Sequence, residues 1–150
     1  MGKTWVRLNL FTDYCLRTLM YLGMHEGVAR RSDVAKAYAI SDNHLMKVVH
    51  WLSSAGYVDT MRGRGGGIRL SRPPISISIG ELVRRSESGS YMVECFEPGN
   101  QSCHIAPVCQ LKPVLHEAQE AMLSVLDRYS LADVLGDRQA LRSILIPVLS

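Results

Sequence analysis

The sequence predicts a mainly helical fold that carries one small two-stranded hairpin and closes on a long helix. Three observations predict it. Apolar residues recur at helical spacing in three consecutive stretches before Gly56. A tip rich in glycine and arginine, Arg62-Gly63-Arg64-Gly65-Gly66-Gly67, then separates two short strand-like runs. Finally, Leu111, Leu115, Ala118, Met122, Val125 and Tyr129 follow one another at gaps of 4, 3, 4, 3 and 4 residues, a heptad seam. Together these read as a winged helix-turn-helix followed by a loop and a long pairing helix.

The first helix is expected over Phe11 to Met24. Leu16, Leu19, Met20 and Gly23 form its stripe, Thr12 or Asp13 opens it and Gly27 lies just past its end. Arg31 to Tyr38 reads as a short second helix with Val34, Ala35 and Tyr38 on one face and Ser32 as its cap. Ser41 caps a third helix that runs to about Ala55, with Leu45, Val48, Val49 and Leu52 as its apolar face and Gly56 as its stop. A short helix, a tight turn and a longer helix with a polar first turn form a helix-turn-helix.

Tyr57 to Met61 and Ile68 to Leu70 are the expected strands of the wing. Its tip does not match a dinucleotide fingerprint, because Ile68 stands where G-x-G-x-x-G needs its last glycine. Pro73-Pro74 breaks the chain before a helix over Ile79 to Ser86. Pro113 belongs in the first turn of the seam helix. Ser130 and Asp133 form a capping box for a short helix, and Arg138 to Leu145 is helical as well.

The net charge of +3 conceals an asymmetry. Thirteen basic and six acidic side chains lie at or before Arg85, whereas four basic and eight acidic ones follow it. The basic half calls for an anionic partner, of which nucleic acid is the commonest. No apolar run approaches the roughly 18 residues that span a bilayer, and Met1 to Asp13 alternates polar with apolar residues, unlike a signal peptide. A cytoplasmic protein with no membrane partner is expected. In that compartment its four cysteines point to metal or redox chemistry rather than to disulfides.

For DNA, the third helix offers Ser41, Asn43, His44 and Lys47 in its first turns. Asparagine can pair twice with an adenine edge, and the others can reach bases or phosphates. From Thr60 to Gly80 there is no acidic residue, while Arg62, Arg64, Arg69 and Arg72 accumulate. Arg62 and Arg64 at the wing tip are the expected groove contacts, Arg64 in a narrow minor groove. A two-fold dimer would set two reading helices about 34 Å apart, so the expected target is a palindromic duplex.

Cys95, Cys103 and Cys109 are spaced C-x7-C-x5-C in a loop containing Pro98, Gly99 and Pro107. Structural zinc favours C-x2-4-C pairs and four closed ligands, which this spacing fits poorly. A 4Fe–4S cubane needs one outside ligand per iron, and a long loop lets three thiolates reach three corners. A fourth ligand must then come from elsewhere: Cys15, His104, His116 or a carboxylate. Cys15 reads better as a small core residue. A zinc site and a bare thiol switch stay open beside the cluster. An enzyme is not expected, since nothing beyond His104 stands by to activate a cysteine nucleophile.

Several stretches carry a resemblance across nearly the whole chain: Leu10-Phe11-Thr12-Asp13-Tyr14 with Leu16-Arg17, Asn43-His44-Leu45-Met46-Lys47-Val48, and Arg62 to Leu70. It continues through Ile79-Gly80-Glu81-Leu82-Val83-Arg84, Val93-Glu94-Cys95-Phe96, Cys103-His104-Ile105, Pro107-Val108-Cys109 and Tyr129-Ser130-Leu131-Ala132-Asp133. The chain resembles the bacterial winged-helix repressors that carry iron–sulfur clusters, and within them the nitric-oxide-sensing NsrR branch more than the IscR or RirA branches. Lys112 stands where the IscR branch has its ligand histidine.

The resemblance implies a 4Fe–4S cluster held by Cys95, Cys103 and Cys109, with Asp13 of the partner chain on the fourth iron. It implies that Arg17 and Glu87 pair beside the cluster. It further implies a homodimeric repressor that binds a palindromic operator in its cluster form and is released by nitric oxide, with iron or cluster status as the alternative signal. On this reading residues 1–87 form the winged helix-turn-helix DNA-binding region, 88–110 the cluster-binding loop, and 111–150 the dimerisation helix and C-terminal helices.

Overall fold

The computed structural model describes residues 7–146. The outermost parts of the 1–87 and 111–150 divisions, and the start of the stretch judged unlike a signal peptide, lie outside the described residues. Seven α-helices and one two-stranded antiparallel sheet make up the described chain.

Helix α1 spans Leu10–Met24, α2 Arg31–Tyr38 and α3 Asp42–Ser54. The cap of α1 is Asn9, not Thr12 or Asp13: its side-chain oxygen accepts the Thr12 backbone N–H at 2.7 Å. Thr12 is instead buried within the first turn, where its hydroxyl donates to Ser86 Oγ at 2.8 Å. Ser32 does not cap α2 either. Backbone hydrogen bonds of 2.8 Å in both directions tie Ala29 to Ile68, holding the chain extended up to Arg30, which takes the cap position without a side-chain bond. Ser41 does cap α3, accepting the His44 N–H at 3.3 Å. Gly56 ends that helix with φ +84°, a conformation that costs other residues strain.

The wing is formed by β1, Val58–Met61, and β2, Gly67–Leu70, in the register Val58↔Leu70 through Met61↔Gly67. Because Ala29 pairs with Ile68, the wing is fixed to the connection between α1 and α2. A single 3-10 turn at Pro74–Ser76 leads to α4, Ile79–Ser86. The loop that follows carries only two more such turns, Glu94–Phe96 and Ala106–Val108.

Helix α5 spans Leu111–Asp127, with Pro113 in its first turn, and is followed by α6, Leu131–Leu135, and α7, Arg138–Leu145. The capping box of Ser130 and Asp133 is present at the start of α6. Leu19, Leu45, Leu52, Leu82 and Leu131 are fully buried in one core that spans the helix-turn-helix, α4 and α6. Each such leucine contributes roughly 1.5–3 kcal/mol by leaving water.

Helix α5 is two-faced. Leu123 is buried in this core, whereas Leu111, Val114, Met122, Val125 and Tyr129 of the seam face are exposed. The buried side is seated closely: a Cβ on Gly80 of α4 would stand 1.9 Å from Asp127 Oδ1 and 2.7 Å from the Asp127 backbone nitrogen. Arg84, one turn on, pairs with Asp127 and lies 4.0 Å from Glu120. No helix among the described residues is long and apolar enough to cross a membrane.

Candidate DNA-reading face and cysteine loop

The candidate reading face begins with helix α3. Ser41, Asp42, Asn43, His44 and Lys47 are all exposed, because the stripe Leu45, Val48, Val49 and Leu52 turns the opposite side inward. Asp42 would repel phosphates, but Arg31 of α2 meets it twice, Nε to Oδ1 and Nη2 to Oδ2, each at 3.1 Å. That fork offsets the one acidic charge in the first turn of α3.

In the wing, two of the four arginines are already engaged. Arg69 lies 3.6 Å from Asp59, its cross-strand partner in the register. Arg72 stacks its guanidinium 4.7 Å from the centre of the Tyr57 ring, and Arg85 covers the same ring at 5.1 Å. Burial pushes the Tyr57 hydroxyl up, although Arg85 and Arg72 partly oppose the shift. Arg62 and Arg64 at the exposed tip have no ion pair among the described residues. A positive tip and a polar helix start make a surface suited to a duplex.

The second region gathers where α1 begins and α4 ends. The Asn9 backbone N–H donates to Glu87 Oε1 at 2.8 Å, and its side-chain amide donates to Oε2 at 3.1 Å. With the buried Thr12–Ser86 bond, this fastens the first turn of α1 to the last residues before the cysteine loop. Asp13 lies in that turn and shares a recess with Asn9, Glu87 and Ser90.

Arg17 and Glu87 do not pair within the protomer. Arg17 Nη2 instead lies 2.8 Å from Asp13 Oδ2, one helical turn away, and its guanidinium also sits 5.9 Å from the centre of the Tyr38 ring. The geometric reason is spacing: residues four apart on a helix face each other, while Glu87 is occupied by Asn9. The sequence alone points to neither the hold of Asn9 on Glu87 nor the bond of Thr12 to Ser86. Asn9 was detectable as a capping type directly before the apolar run; the contact from Thr12 to Ser86 had no local signal.

Cys95 and Cys109 are half-buried and Cys103 is exposed. Among the described residues no three His, Cys, Asp or Glu side chains converge closely enough to hold a metal ion. The donor types nevertheless fit an iron–sulfur cluster: three accessible thiols on one loop, with a carboxylate, Asp13, as a harder donor on another element. The protomer alone does not gather them. Cys15 is fully buried among core residues, with its thiol pushed up to about 12 by burial, as befits a small core side chain. His116 sets its ring against Phe96 at 6.0 Å, edge to face, and so anchors the loop to α5.

Comparison with known proteins agrees with this architecture. The chain is 47% identical over 142 residues to the HTH-type transcriptional regulator NsrR of Geobacillus kaustophilus, covering 93% of this chain and 97% of that one. It is 45% identical over 142 residues to NsrR of Bacillus subtilis, with the same coverage. Among solved structures, T. potens IscR superposes with a TM-score of 0.73 at 24% identity, covering 94% of each chain. CymR, described as the global cysteine regulator of B. subtilis, superposes at 0.68 and 24% identity, covering 87% of this chain and 97% of that one; both show the shared fold. The pattern of the Rrf2 family, described as iron-dependent transcriptional regulators, matches residues 8–137. A winged helix with a candidate DNA-reading face, joined through a cysteine loop to a long helix, is thus the architecture of a transcriptional regulator rather than an enzyme, and the chain belongs to the Rrf2 family.

Proposed function

We propose that the protein is a cytoplasmic, homodimeric transcriptional repressor that binds a palindromic operator in its 4Fe–4S form and is released when nitric oxide acts on the cluster. The observation that carries this reading is the fastening of the Asp13 turn to the base of the cysteine loop by Asn9–Glu87 and Thr12–Ser86. Its similarity to NsrR of two bacilli supports the choice of signal. In this proposal residues 1–87 read DNA, 88–110 hold the cluster and 111–150 pair two copies.

Cys95, Cys103 and Cys109 would hold three irons, and Asp13 of the partner chain the fourth. When bound, the cluster supplies iron that reacts with nitric oxide. The chain's own residues do the rest. The exposed seam Leu111, Val114, Met122 and Val125 places two copies side by side, since an apolar face of that length on a monomer marks an interface. Asp13, once free of a partner, returns to Arg17, the pair seen in the single protomer. Ser41, Asn43, His44 and Lys47 then move with α1, against which α3 is packed, and the spacing of the two reading helices changes. A shift of a few kcal/mol between two arrangements is enough for such control.

A second reading, control by iron status, is favoured by the description of the family as iron-dependent. Anaerobically purified protein, titrated on its promoter duplex with nitric oxide and separately with an iron chelator, distinguishes the two. Loss of DNA binding at a few nitric oxide per cluster, before iron leaves, supports the first. Insensitivity to nitric oxide with loss on chelation establishes the second. Colourless protein containing zinc and no sulfide removes both.

A further inference from the structure

We propose that Tyr14 is a positioning residue for sequence reading, one that aims the His44 imidazole from the first turns of α1. The inference rests on the DNA-reading role proposed for α3. His44 projects from the exposed start of α3. Its backbone N–H is tied to Ser41 Oγ at 3.3 Å, which fixes the main chain but leaves the imidazole to be directed by whatever lies beside it. What lies beside it is Tyr14: the two ring centres are 6.1 Å apart with their planes inclined at 45°.

Three residues earlier, Phe11 meets Trp51 edge to face at 5.7 Å. These two aromatic contacts grip α3 at positions seven residues apart, and Leu45, Val48 and Leu52 of the same helix are buried in the core. They fix the pitch of the reading helix against α1. Tyr14 also follows Asp13 directly, in the stretch of α1 that Asn9 and Thr12 fasten to Glu87 and Ser86. The imidazole is therefore aimed by the same segment that carries the proposed cluster ligand. An imidazole held in one orientation presents one nitrogen to one base edge; a free one contacts several bases or phosphates without preference.

The test selects binding sites from a random-sequence duplex pool with the full chain, purified anaerobically, as wild type, His44→Ala, Tyr14→Phe, Tyr14→Leu and Tyr14→Met. Tyr14 is half-buried, so either apolar replacement fills its place, and circular dichroism confirms that each variant is helical. The expected result is that H44A, Y14L and Y14M lose preference, by about tenfold, at the same base positions of the enriched site. Y14F, which keeps the ring, retains the wild-type site. A structural role alone would weaken binding to all duplexes evenly. An unchanged preference in Y14L and Y14M at the positions lost in H44A, or no position lost in H44A, overturns the inference and leaves the DNA-reading proposal standing. Failure of the wild type to enrich any site overturns both.

Discussion

Replacing Asn9 by alanine tests the fastening on which the proposed coupling depends. Three side-chain interactions disappear, of which the amide's long, exposed bond to Ser90 Oγ at 3.4 Å contributes least. The side-chain oxygen no longer accepts the Thr12 N–H of the first turn, a cap whose loss costs about 1 kcal/mol. The side-chain amide no longer donates to the Glu87 carboxylate, which in a half-buried setting costs about 1 kcal/mol more. The Asn9 backbone N–H still meets Glu87, so the loss stops near 2 kcal/mol. For a chain of 150 residues that corresponds to a fall in Tm of about 4–8 °C. Asn9→Ser restores the cap alone and recovers about half. Asn9→Asp also keeps an acceptor but sets a carboxylate against Glu87, so it loses more stability at neutral pH than Asn9→Ser. Thermal unfolding followed by circular dichroism, at one fixed protein concentration because the Tm of the proposed dimer depends on it, reads all three. An N9A protein melting within 1 °C of wild type, or an N9S no more stable than N9A, refutes the reasoning.

Other expectations follow from the same geometry. Gly80→Ala forces a Cβ into the Asp127 carboxylate and backbone, and is expected to lower stability by about 1–3 kcal/mol in denaturant unfolding. Thiol counting at pH 8 on cluster-free protein should find Cys95, Cys103 and Cys109 reactive and Cys15 protected until the chain unfolds. The Cys15 thiol has a folded pKa near 12 against 9.0 unfolded, so the protonated core thiol supports the fold fully below pH 9 and that support is lost as pH rises toward 12. Asp133 has its pKa lowered by the Ser130 N–H and hydroxyl. Its contribution is therefore present above the unfolded carboxyl pKa and lost as pH falls through the folded one; Asp133→Asn should flatten the acid limb of an unfolding profile. Val125→Glu places a charge on the exposed seam; sedimentation is expected to show a dimer for the wild type and a monomer for V125E.

Much of the fold was legible because local chemistry sets it. The bounds of α4 and α7, the Ser41 cap and the Ser130–Asp133 box all follow from residues within one turn of each other. The errors share a cause. Thr12 reads as a cap from its type, but a hydroxyl 74 positions away claims it, and Asn9 does the capping. Ser32 reads as a cap, but the bridge between Ala29 and Ile68 decides where α2 begins. In the candidate site, the exposed face of α3 and the exposed wing-tip arginines were legible from patterning. The fork of Arg31 on Asp42, the stacking of Arg72 on Tyr57 and the hold of Asn9 on Glu87 were not, since each is fixed by packing between distant segments. The partners of Arg17 and Glu87 were assigned from resemblance, and within the protomer each has another.

The central proposal is that the state of the thiol-bound cofactor governs the grip on DNA. The most direct measurement is the affinity of oxygen-free protein for its promoter duplex, followed alongside the visible absorbance of the cluster while nitric oxide is added stepwise. The account predicts that the 4Fe–4S absorbance and the affinity fall together, and that C95A, C103A and C109A proteins start from the weak-binding state. A cluster that reacts fully while affinity stays constant, or cysteine variants that bind the duplex as tightly as the intact form, contradicts it.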